Sequence, residues 1–572
     1  MSGTEQPVEY SNRRGLLLGL YFLAMSALVW RVIDLQVLNN EFLQEHGNAR
    51  ALRVVEIPAH RGIITDRNGE PLAVSTPVKS VWATPRKVLS SGHDLAQLAS
   101  YMNIPLRELS GMMEERIGRE FVYLKRHVEP ALAEQIMALG IPGVSVEQEF
   151  KRYYPAGEVA AHIVGFTNID DIGQEGLELA YDKWLRGTPG SKRVIKDRLG
   201  RVIEDVESIK TPSQGKLLQL SIDRRIQYLA YRELKSAVNV YGARGGSLVM
   251  LDVRTGEILA MVGQPSHNPN NRSEMRTELF RNRAVTDVFE PGSTIKPFTI
   301  VAALQSGIYS PKSVINTAPG YFRVGNHTIS DHRNYGSIDI PTIIQKSSNV
   351  GASKIALSLE PEMVRSALAH VGLGMPTGSG FPGESAGYLG PGPYWSDIEL
   401  ATIAFGYGIS VTTLQLAQAY LVLAADGKLL PPTFIKQEFP VKGKQVIPAR
   451  IAREVRHMLE AVVSNDGTGV QAAVKGYRVA GKTGTVHKAV EGGYSEDKYI
   501  SLFAGMAPVS NPRFVIIVSI DEPRGEKYYG GQIAAPIFSS VMQGALRLMD
   551  VPPDDLRQSQ EAPIVAGTRG AQ

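Results

Sequence analysis

The chain has 572 residues, 43% hydrophobic and 21% charged, which suits a protein that buries a core and is too long for a single one. A net charge of +4 over that length gives no electrostatic ground for a nucleic-acid partner. The absence of cysteine excludes disulfide scaffolds, thiolate metal sites and cysteine nucleophiles.

The first element in chain order is apolar. Arg13 and Arg14 precede Gly15 to Trp30, GLLLGLYFLAMSALVW, which holds no charge, and Val32 and Ile33 continue it past Arg31. As a helix this stretch spans roughly 28 Å, close to the hydrocarbon thickness of a bilayer. The positive-inside rule places residues 1–14 in the cytoplasm and the rest outside. Trp30 and Arg31 suit the far interface. A cleaved signal peptide is the competing reading, but the small-x-small triplet Ala24-Met25-Ser26 lies inside the apolar run rather than after it. The expected organisation is therefore an anchor and exit helix over 15–38, a first external domain over 39–216, a second over 217–551, and a polar, disordered tail over 552–572.

Asp34 to Ala51 reads as a helix leaving the membrane, and Arg53 to Ile57 as a strand. Arg61 to Ser75 reads as strand, turn and strand, with Asn68-Gly69 supplying the φ > 0 residues of a tight hairpin. Asp94 to Ile141 carries two or three amphipathic helical patterns. Gly190 to Lys216 is polar and rich in Lys, Arg, Gly and Pro, which predicts a domain boundary. Beyond it, Asp223 to Ser236 reads as a helix capped by its aspartate, and Gly246 to Val262 as a hairpin around Thr255-Gly256. Strands return at Tyr499 to Met506 and Arg513 to Ile520, followed by a helix over Ala535 to Met549. Strands at both ends with helices between them predict an α+β domain whose sheet unites the ends.

Three short motifs lie in this second domain: Ser293-Thr294-Ile295-Lys296, Ser347-Ser348-Asn349 and Lys482-Thr483-Gly484-Thr485. The order Ser-x-x-Lys, Ser-x-Asn, Lys-Thr-Gly is that of penicillin-binding proteins and serine β-lactamases. Each motif alone is weak, since Ser-x-x-Lys recurs at Ser213 to Lys216 and at Ser495 to Lys498. Ser293 differs from these by following Pro291-Gly292 and opening an apolar helical run, in whose first turn Pro297 is tolerated. On a helix Ser293 and Lys296 share a face. A serine hydroxyl needs an adjacent base, and a lysine serves as one only if burial or a nearby cation discourages its ammonium. Lys482 is placed to be that cation and Ser347 to relay the proton. The backbone N–H groups of Ser293 and Thr485 would form the oxyanion hole. Asn349 would hold the substrate amide, and Thr483 and Thr485 would offer hydroxyls to a carboxylate.

Gly476 to Thr483, GYRVAGKT, also fits the phosphate-binding pattern G-x-x-x-x-G-K-[ST]. Its flanks disagree: a polar segment precedes it and Gly484 to His487 favours strand, whereas phosphate binding needs a strand before and a helix after. No nucleotide is expected. The eleven histidines show no metal-binding spacing, so no metal is expected either.

With these residues in hand, the chain resembles the class B penicillin-binding proteins, and among them the division-specific septal transpeptidases. The resemblance extends beyond the motifs to RGIITDRNGEPLA (Arg61 to Ala73), RYYPAGEVAAHIVGF (Arg152 to Phe166), GQEGLELAYD (Gly173 to Asp182) and FEPGSTIKPF (Phe289 to Phe298). It implies a single-pass protein of the bacterial inner membrane with an elongated non-catalytic pedestal of the dimerisation type. It implies a catalytic domain, in the periplasm, with an antiparallel sheet flanked by helices, like that of serine β-lactamases. It implies a cofactor-free D,D-transpeptidase that forms an acyl-enzyme on Ser293 from peptidoglycan stem peptides and is inhibited covalently by β-lactams. It implies as partners a membrane-embedded glycosyltransferase and bitopic division proteins. Tyr407, Tyr499, Tyr528 and Tyr529 would shape the cleft, with Gly484 beside them in the Lys-Thr-Gly strand. The middle position of Ser347-Ser348-Asn349 departs from the commoner Ser-Asp-Asn.

The motifs leave open an elongation-type transpeptidase, and a D,D-carboxypeptidase or penicillin-hydrolysing enzyme on the same fold. A penicillin sensor is disfavoured, because the short run before Arg13 leaves no room for an output domain.

Overall fold

An apolar helix, α1 (Ser11–Ile33), continues as a single π-helical turn over Asp34–Leu38. The segment Arg13–Leu38 is long and apolar enough to cross a membrane, and none of it is buried by protein. The computed structural model describes residues 11–38, 52–196, 202–274, 276–390, 392 and 395–555. The expected exit helix beyond Leu38 and the expected tail beyond Asp555 lie outside the described residues.

The chain contacts define two compact units, and they do not follow a single cut at 216/217. One unit contains Met1–His60, Pro77–Phe150 and Gly187–Gln214; the other contains Arg61–Thr76, Lys151–Arg186 and Gly215–Gln572. In the first unit the helices Ala96–Met102, Leu106–Glu115 and Pro130–Ala138 share a core with Val81, Val88 and Leu124. The helical periodicity over Asp94 to Ile141 concealed a strand, Val122–Val128, between the second and third of them. The polar Gly190 to Lys216 segment contains a division between the units, at Gln214/Gly215, but most of it is strand. Gly190–Lys196 and Val202–Lys210 are strands, paired antiparallel with each other and, through the first, with Leu52–Ile57. Arg193 pairs across this sheet with Glu207 at 3.0 Å. Strands with this much polar, exposed surface carry no apolar alternation to betray them.

In the second unit the three sequence blocks that precede the catalytic motifs meet at one buried ion cluster. Arg61 Nε donates to Glu178 Oε2 at 2.7 Å and Arg152 Nε donates to Glu178 Oε1 at 2.6 Å. Arg61 Nη1 reaches Asp182 Oδ1 at 2.8 Å. The turn after Ile64–Thr65 is held by Asp66, whose Oδ1 accepts from Asn68 N at 2.7 Å and Glu70 N at 2.9 Å. Only Gly69 there has positive φ, at +90°, so this is an aspartate-held turn rather than the expected two-residue hairpin with φ > 0 at both positions.

Helix α2 (Arg224–Val240) starts at Asp223, whose side chain accepts from Arg225 N. Strands β1 (Gly245–Asp252) and β2 (Ile258–Gln264) form the expected hairpin, with Gly256 at φ +73°. The helices that follow include α3 (Lys296–Gln305), α4 (Ile340–Lys346), α5 (Asn349–Leu357) and the wholly buried α6 (Thr413–Ala424). The chain then returns to the sheet through β3 (Ala480–Val490), β4 (Gly493–Ala507) and β5 (Phe514–Asp521), and ends in α7 (Gly530–Leu548), which begins five residues before the expected Ala535. The sheet order is β2-β1-β5-β4-β3, antiparallel throughout. The first strands of the unit thus pair with the last, which leaves β3 at an edge, where the Lys-Thr-Gly motif lies.

Candidate active site

The nucleophile segment is built by close backbone approach. Ser293 lies in a 3₁₀ turn, Gly292–Ile295, and α3 proper begins at Lys296, with Pro297 in its first turn. A 3₁₀ turn eclipses residues i and i+3, which brings Ser293 and Lys296 onto one line. Gly292 has φ +53°, and a Cβ there would stand 2.4 Å from Val486 Cγ2 of β3. A Cβ on Gly406, at φ +89°, would stand 2.1 Å from the Gly292 carbonyl oxygen. Beneath the turn, the buried Tyr420 of α6 donates to Thr294 O at 2.9 Å.

The Ser347-Ser348-Asn349 motif is the joint between two helices. Ser347 ends α4 in the left-handed conformation, φ 59° and ψ 40°. Ser348 caps α5, its Oγ accepting from Gly351 N at 2.9 Å. This joint aims Ser347 Oγ and Asn349 Oδ1 at the same amine, Lys296 Nζ.

Lys296 is fully buried, and its Nζ is the hub of the site. It lies 3.0 Å from Ser293 Oγ, 2.5 Å from Ser347 O, 3.1 Å from Ser347 Oγ and 2.7 Å from Asn349 Oδ1. Burial and the adjacent Lys482 cation push its pKa well down, against a raising contribution from Asp331. A neutral amine has two N–H donors and one lone pair. Ser347 O and Asn349 Oδ1 can only accept, so they take both donors, and the lone pair is left facing the hydroxyls of Ser293 and Ser347. This is the arrangement of a general base beside a nucleophile.

Lys482, also fully buried, donates to Ser347 Oγ at 2.9 Å and to Thr483 O at 3.2 Å; burial lowers its pKa to about 7. Gly484 explains why the strand comes so near: a Cβ there would press Thr294 Cγ2 and Leu502 Cβ, each at 3.1 Å. The Thr485 hydroxyl accepts from Gly530 N at 3.0 Å, and the Thr483 hydroxyl pairs with Thr468 Oγ1 at 2.7 Å.

Ser293, Ser347, Asn349, Thr483, Thr485, Tyr407, Tyr499, Tyr528 and Tyr529 line one cleft of about 680 Å³. Lys296, Lys482 and Gly484 lie buried behind its wall. Tyr499 stacks on Tyr528 at 4.2 Å and Tyr528 on Tyr529 at 4.5 Å, while Tyr407 meets Phe405 at 5.5 Å. The cleft also contains His332, Phe405, Thr468, Gln471, His487 and Gln532, which sequence reasoning missed. Phe405 and His487 adjoin residues it did select; the others had no local signal. The competing serines are elsewhere: Ser495 Oγ is exposed and donates to Asp497 Oδ1, and Ser213 N bonds to Thr188 O. The GYRVAGKT segment runs into β3 rather than into a helix, and its lysine is committed to Ser347.

Comparisons with known proteins agree with this geometry. Residues 246–543 match the penicillin-binding protein transpeptidase domain, and residues 56–220 match the penicillin-binding protein dimerisation domain. The chain is 46% identical to the peptidoglycan D,D-transpeptidase FtsI of Escherichia coli K12, over 96% of this chain and 93% of that protein. It is 41% identical to the probable peptidoglycan D,D-transpeptidase PenA of Neisseria gonorrhoeae, over 96% and 95% of the two chains. Among solved structures it is similar to the transpeptidase domain of Burkholderia pseudomallei penicillin-binding protein 3, with a TM-score of 0.54, 44% identity, and coverage of 59% of this chain and 97% of that one. It is also similar to penicillin-binding protein 3 of Mycobacterium tuberculosis complexed with aztreonam, with a TM-score of 0.68, 30% identity, and coverage of 87% and 98%.

Proposed function

Since the chain belongs to the class B penicillin-binding proteins, the peptidoglycan D,D-transpeptidases that join a dimerisation domain to a transpeptidase domain, we propose that it cross-links peptidoglycan at the division septum through an acyl-enzyme on Ser293. The observation that carries this reading is the fully buried amine of Lys296, 3.0 Å from Ser293 Oγ.

Ser293 Oγ attacks the carbonyl carbon of the penultimate D-Ala of a stem peptide while Lys296 takes its proton. The oxyanion is received by the N–H groups of Ser293 and Thr485. The bond to the terminal D-Ala nitrogen then breaks, and Ser347 passes a proton to that leaving amine, drawing on Lys296. An amine of a neighbouring stem attacks the acyl carbon, the Ser293 ester bond breaks, and the amine's proton returns to Ser293 along the same path. Lys482, beside the threonine hydroxyls of its own motif, offers positive charge to the substrate's terminal carboxylate, and Asn349 holds its amide. β-Lactams acylate the same serine and stop there.

The helix Arg13–Leu38 fits a single-pass membrane anchor. Arg13 and Arg14 at its start favour a cytoplasmic N-terminus and a periplasmic catalytic domain. The anchor and the dimerisation domain are the surfaces for a membrane-embedded glycosyltransferase and for bitopic division proteins. The likeness to FtsI supports the septal assignment. Midcell localisation of a fluorescent fusion checks it, and a signal along the cell cylinder would assign the chain to elongation.

The chemistry is tested by intact-protein mass after incubation with benzylpenicillin, with Ser293→Ala in parallel. A single stable adduct on the parent that is lost in the variant is the expected result. A folded parent that takes no adduct overturns the reading.

A further inference from the structure

Thr294, the residue after the nucleophile, is wholly buried and is held from three directions. From β3, Gly484 comes so near that a Cβ there would stand 3.1 Å from Thr294 Cγ2. Within its own turn, Thr294 Oγ1 donates to Pro291 O at 2.6 Å. From α6, the phenol of Tyr420 donates to Thr294 O at 2.9 Å. Tyr420 is itself 0% exposed, and its ring meets Phe298 of α3 edge-on at 5.7 Å. Burial pushes its phenol well above the ordinary range, so the hydroxyl keeps its proton and stays a donor around neutral pH.

A second contact mirrors the one at Gly484. A Cβ on Gly292 would stand 2.4 Å from Val486 Cγ2 of β3. The nucleophile turn and the strand thus meet through Gly292 and Val486 on one side and through Thr294 and Gly484 on the other. Ser293 and Thr485, whose N–H groups are assigned to the oxyanion, lie between these contacts in their respective segments. The gap between the two donors is therefore set by how the turn is seated against β3. Both contacts are apolar, so they stop the segments from approaching but do not stop them from parting or turning. The turn is only four residues long, Gly292–Ile295, and its own backbone bond from Thr294 N to Pro291 O is long, at 3.3 Å. The directional bond from Tyr420 fixes the plane of the Thr294–Ile295 peptide, which the turn holds only weakly by itself.

We infer that Tyr420 is a positioning residue of the acylation step: acting through Thr294, it seats the nucleophile turn against β3 and so holds the Ser293 and Thr485 N–H groups at the separation an oxyanion needs. Such donors stabilise developing charge only when they are already in place before the reaction, so a small loosening costs rate. Tyr420 has no exposed surface and touches no substrate, which separates its effect from binding. The inference rests on the acyl-serine reading above and on its oxyanion hole.

The test is Tyr420→Phe, which removes one hydroxyl and keeps the ring, on the full chain in detergent micelles. Stopped-flow acylation over a range of benzylpenicillin concentrations gives the non-covalent constant and the limiting rate, with the melting temperature measured alongside. The limiting rate is expected to fall about tenfold, a part of the roughly hundredfold or more that outright loss of an oxyanion donor costs, while the non-covalent constant stays at the parental value. The second readout is the infrared band of the acyl-ester carbonyl, isolated with benzylpenicillin that carries heavy carbon at its β-lactam carbonyl. Hydrogen-bond donors lower the stretching frequency of the carbonyl they hold. The band of the Tyr420→Phe acyl-enzyme is therefore expected to move up, toward that of the denatured acyl-enzyme. A merely structural hydroxyl would lower the melting temperature alone. A parental limiting rate in Tyr420→Phe, or a band that does not move, would overturn the inference and leave the acyl-serine reading standing. Should Tyr420→Phe fail to fold, Thr294→Ser decides: it keeps both hydrogen bonds, removes the methyl that lies against Gly484, and is expected to move the same band, so an unmoved band overturns the inference. A parental band that is the same before and after denaturation refutes the oxyanion hole, and the inference falls with it. A folded parent that is never acylated refutes the acyl-serine reading itself.

Discussion

Lys482 donates to Ser347 Oγ at 2.9 Å, and the same oxygen stands 3.1 Å from Lys296 Nζ, so one hydroxyl bridges two buried lysines. In the acyl-serine mechanism proposed above, this hydroxyl is the group assigned to carry a proton from Lys296 to the leaving amine. Ser347→Ala should therefore lower β-lactam acylation by about a hundredfold, in the range of a lost acid–base partner. Because Ser347 sits at φ 59°, Ser347→Gly should lose as much activity yet melt higher than Ser347→Ala, by an amount equivalent to about 1 kcal/mol. Stopped-flow acylation and thermal melts of the two variants check both halves.

A buried lysine also leaves a mark on stability. Lys482 has a folded pKa of about 7, below the value of about 10.4 for a lysine in an unfolded chain. Between these values the unfolded state binds more protons than the folded one, so stability rises with pH across that window. The cost of burying the group is fully present below pH 7 and relieved as pH approaches 10.4. Lys296 acts in the same direction. The parent should gain melting temperature from pH 7 to 10 relative to Lys482→Met, with a slope difference of at most about 1.4 kcal/mol per pH unit. Parallel slopes for the two proteins would refute the burial argument.

The ion cluster of the second unit makes a prediction of the opposite kind. Glu178 receives Arg152 at 2.6 Å and Arg61 at 2.7 Å, and all three side chains are almost wholly buried. Removing the carboxylate leaves two buried guanidinium groups without their central counter-charge. Glu178→Ala should cost about 3–5 kcal/mol, as expected when a buried pair loses one partner. Denaturant unfolding measures it, and a loss under 1 kcal/mol would mean that water or Asp182 compensates.

The parts of this protein that were legible in the sequence are those where chemistry is local. Ser293 and Lys296 lie one turn apart, and the Pro291-Gly292 lead-in, the apolar run after them and the order of the three motifs set them apart from the other Ser-x-x-Lys pairs. The β1–β2 hairpin was equally plain, because both strands are apolar along their length and a glycine marks the turn. Asp331 was not legible: only folding brings its carboxylate to the start of α5, where Oδ1 accepts from Asn349 N at 2.6 Å and Val350 N at 3.0 Å. The polar strands around Lys196 and Val202 were hidden for a different reason. Their sheet has exposed polar positions, so the period-2 signal of a half-buried strand is weak. Val122–Val128 was masked by helical patterns on both sides of it.

The aromatic wall of the cleft gives the last test. Tyr528 stacks between Tyr499 at 4.2 Å, with ring planes 16° apart, and Tyr529 at 4.5 Å. His487 extends the ladder by meeting Tyr499 at 4.7 Å. Its members come from the paired strands β3 and β4 and from the segment just before α7, so the wall spans two separate parts of the chain. Each ring is largely held in place by its neighbours, and removing Tyr528 should also loosen Tyr499 and Tyr529. The losses of Tyr499→Ala and Tyr528→Ala should then overlap, the double variant falling short of their sum by about 0.5–1.5 kcal/mol, the worth of one stacked pair. The hydrogen-bond partners of Lys296 Nζ are Ser293, Ser347 and Asn349 and none of these rings, so the loss should fall on the non-covalent binding constant more than on the limiting acylation rate. Acylation measured over a range of benzylpenicillin concentrations separates the two constants. Strict additivity would show that the rings act as independent contacts, and a loss confined to the limiting rate would place them in the acylation step itself.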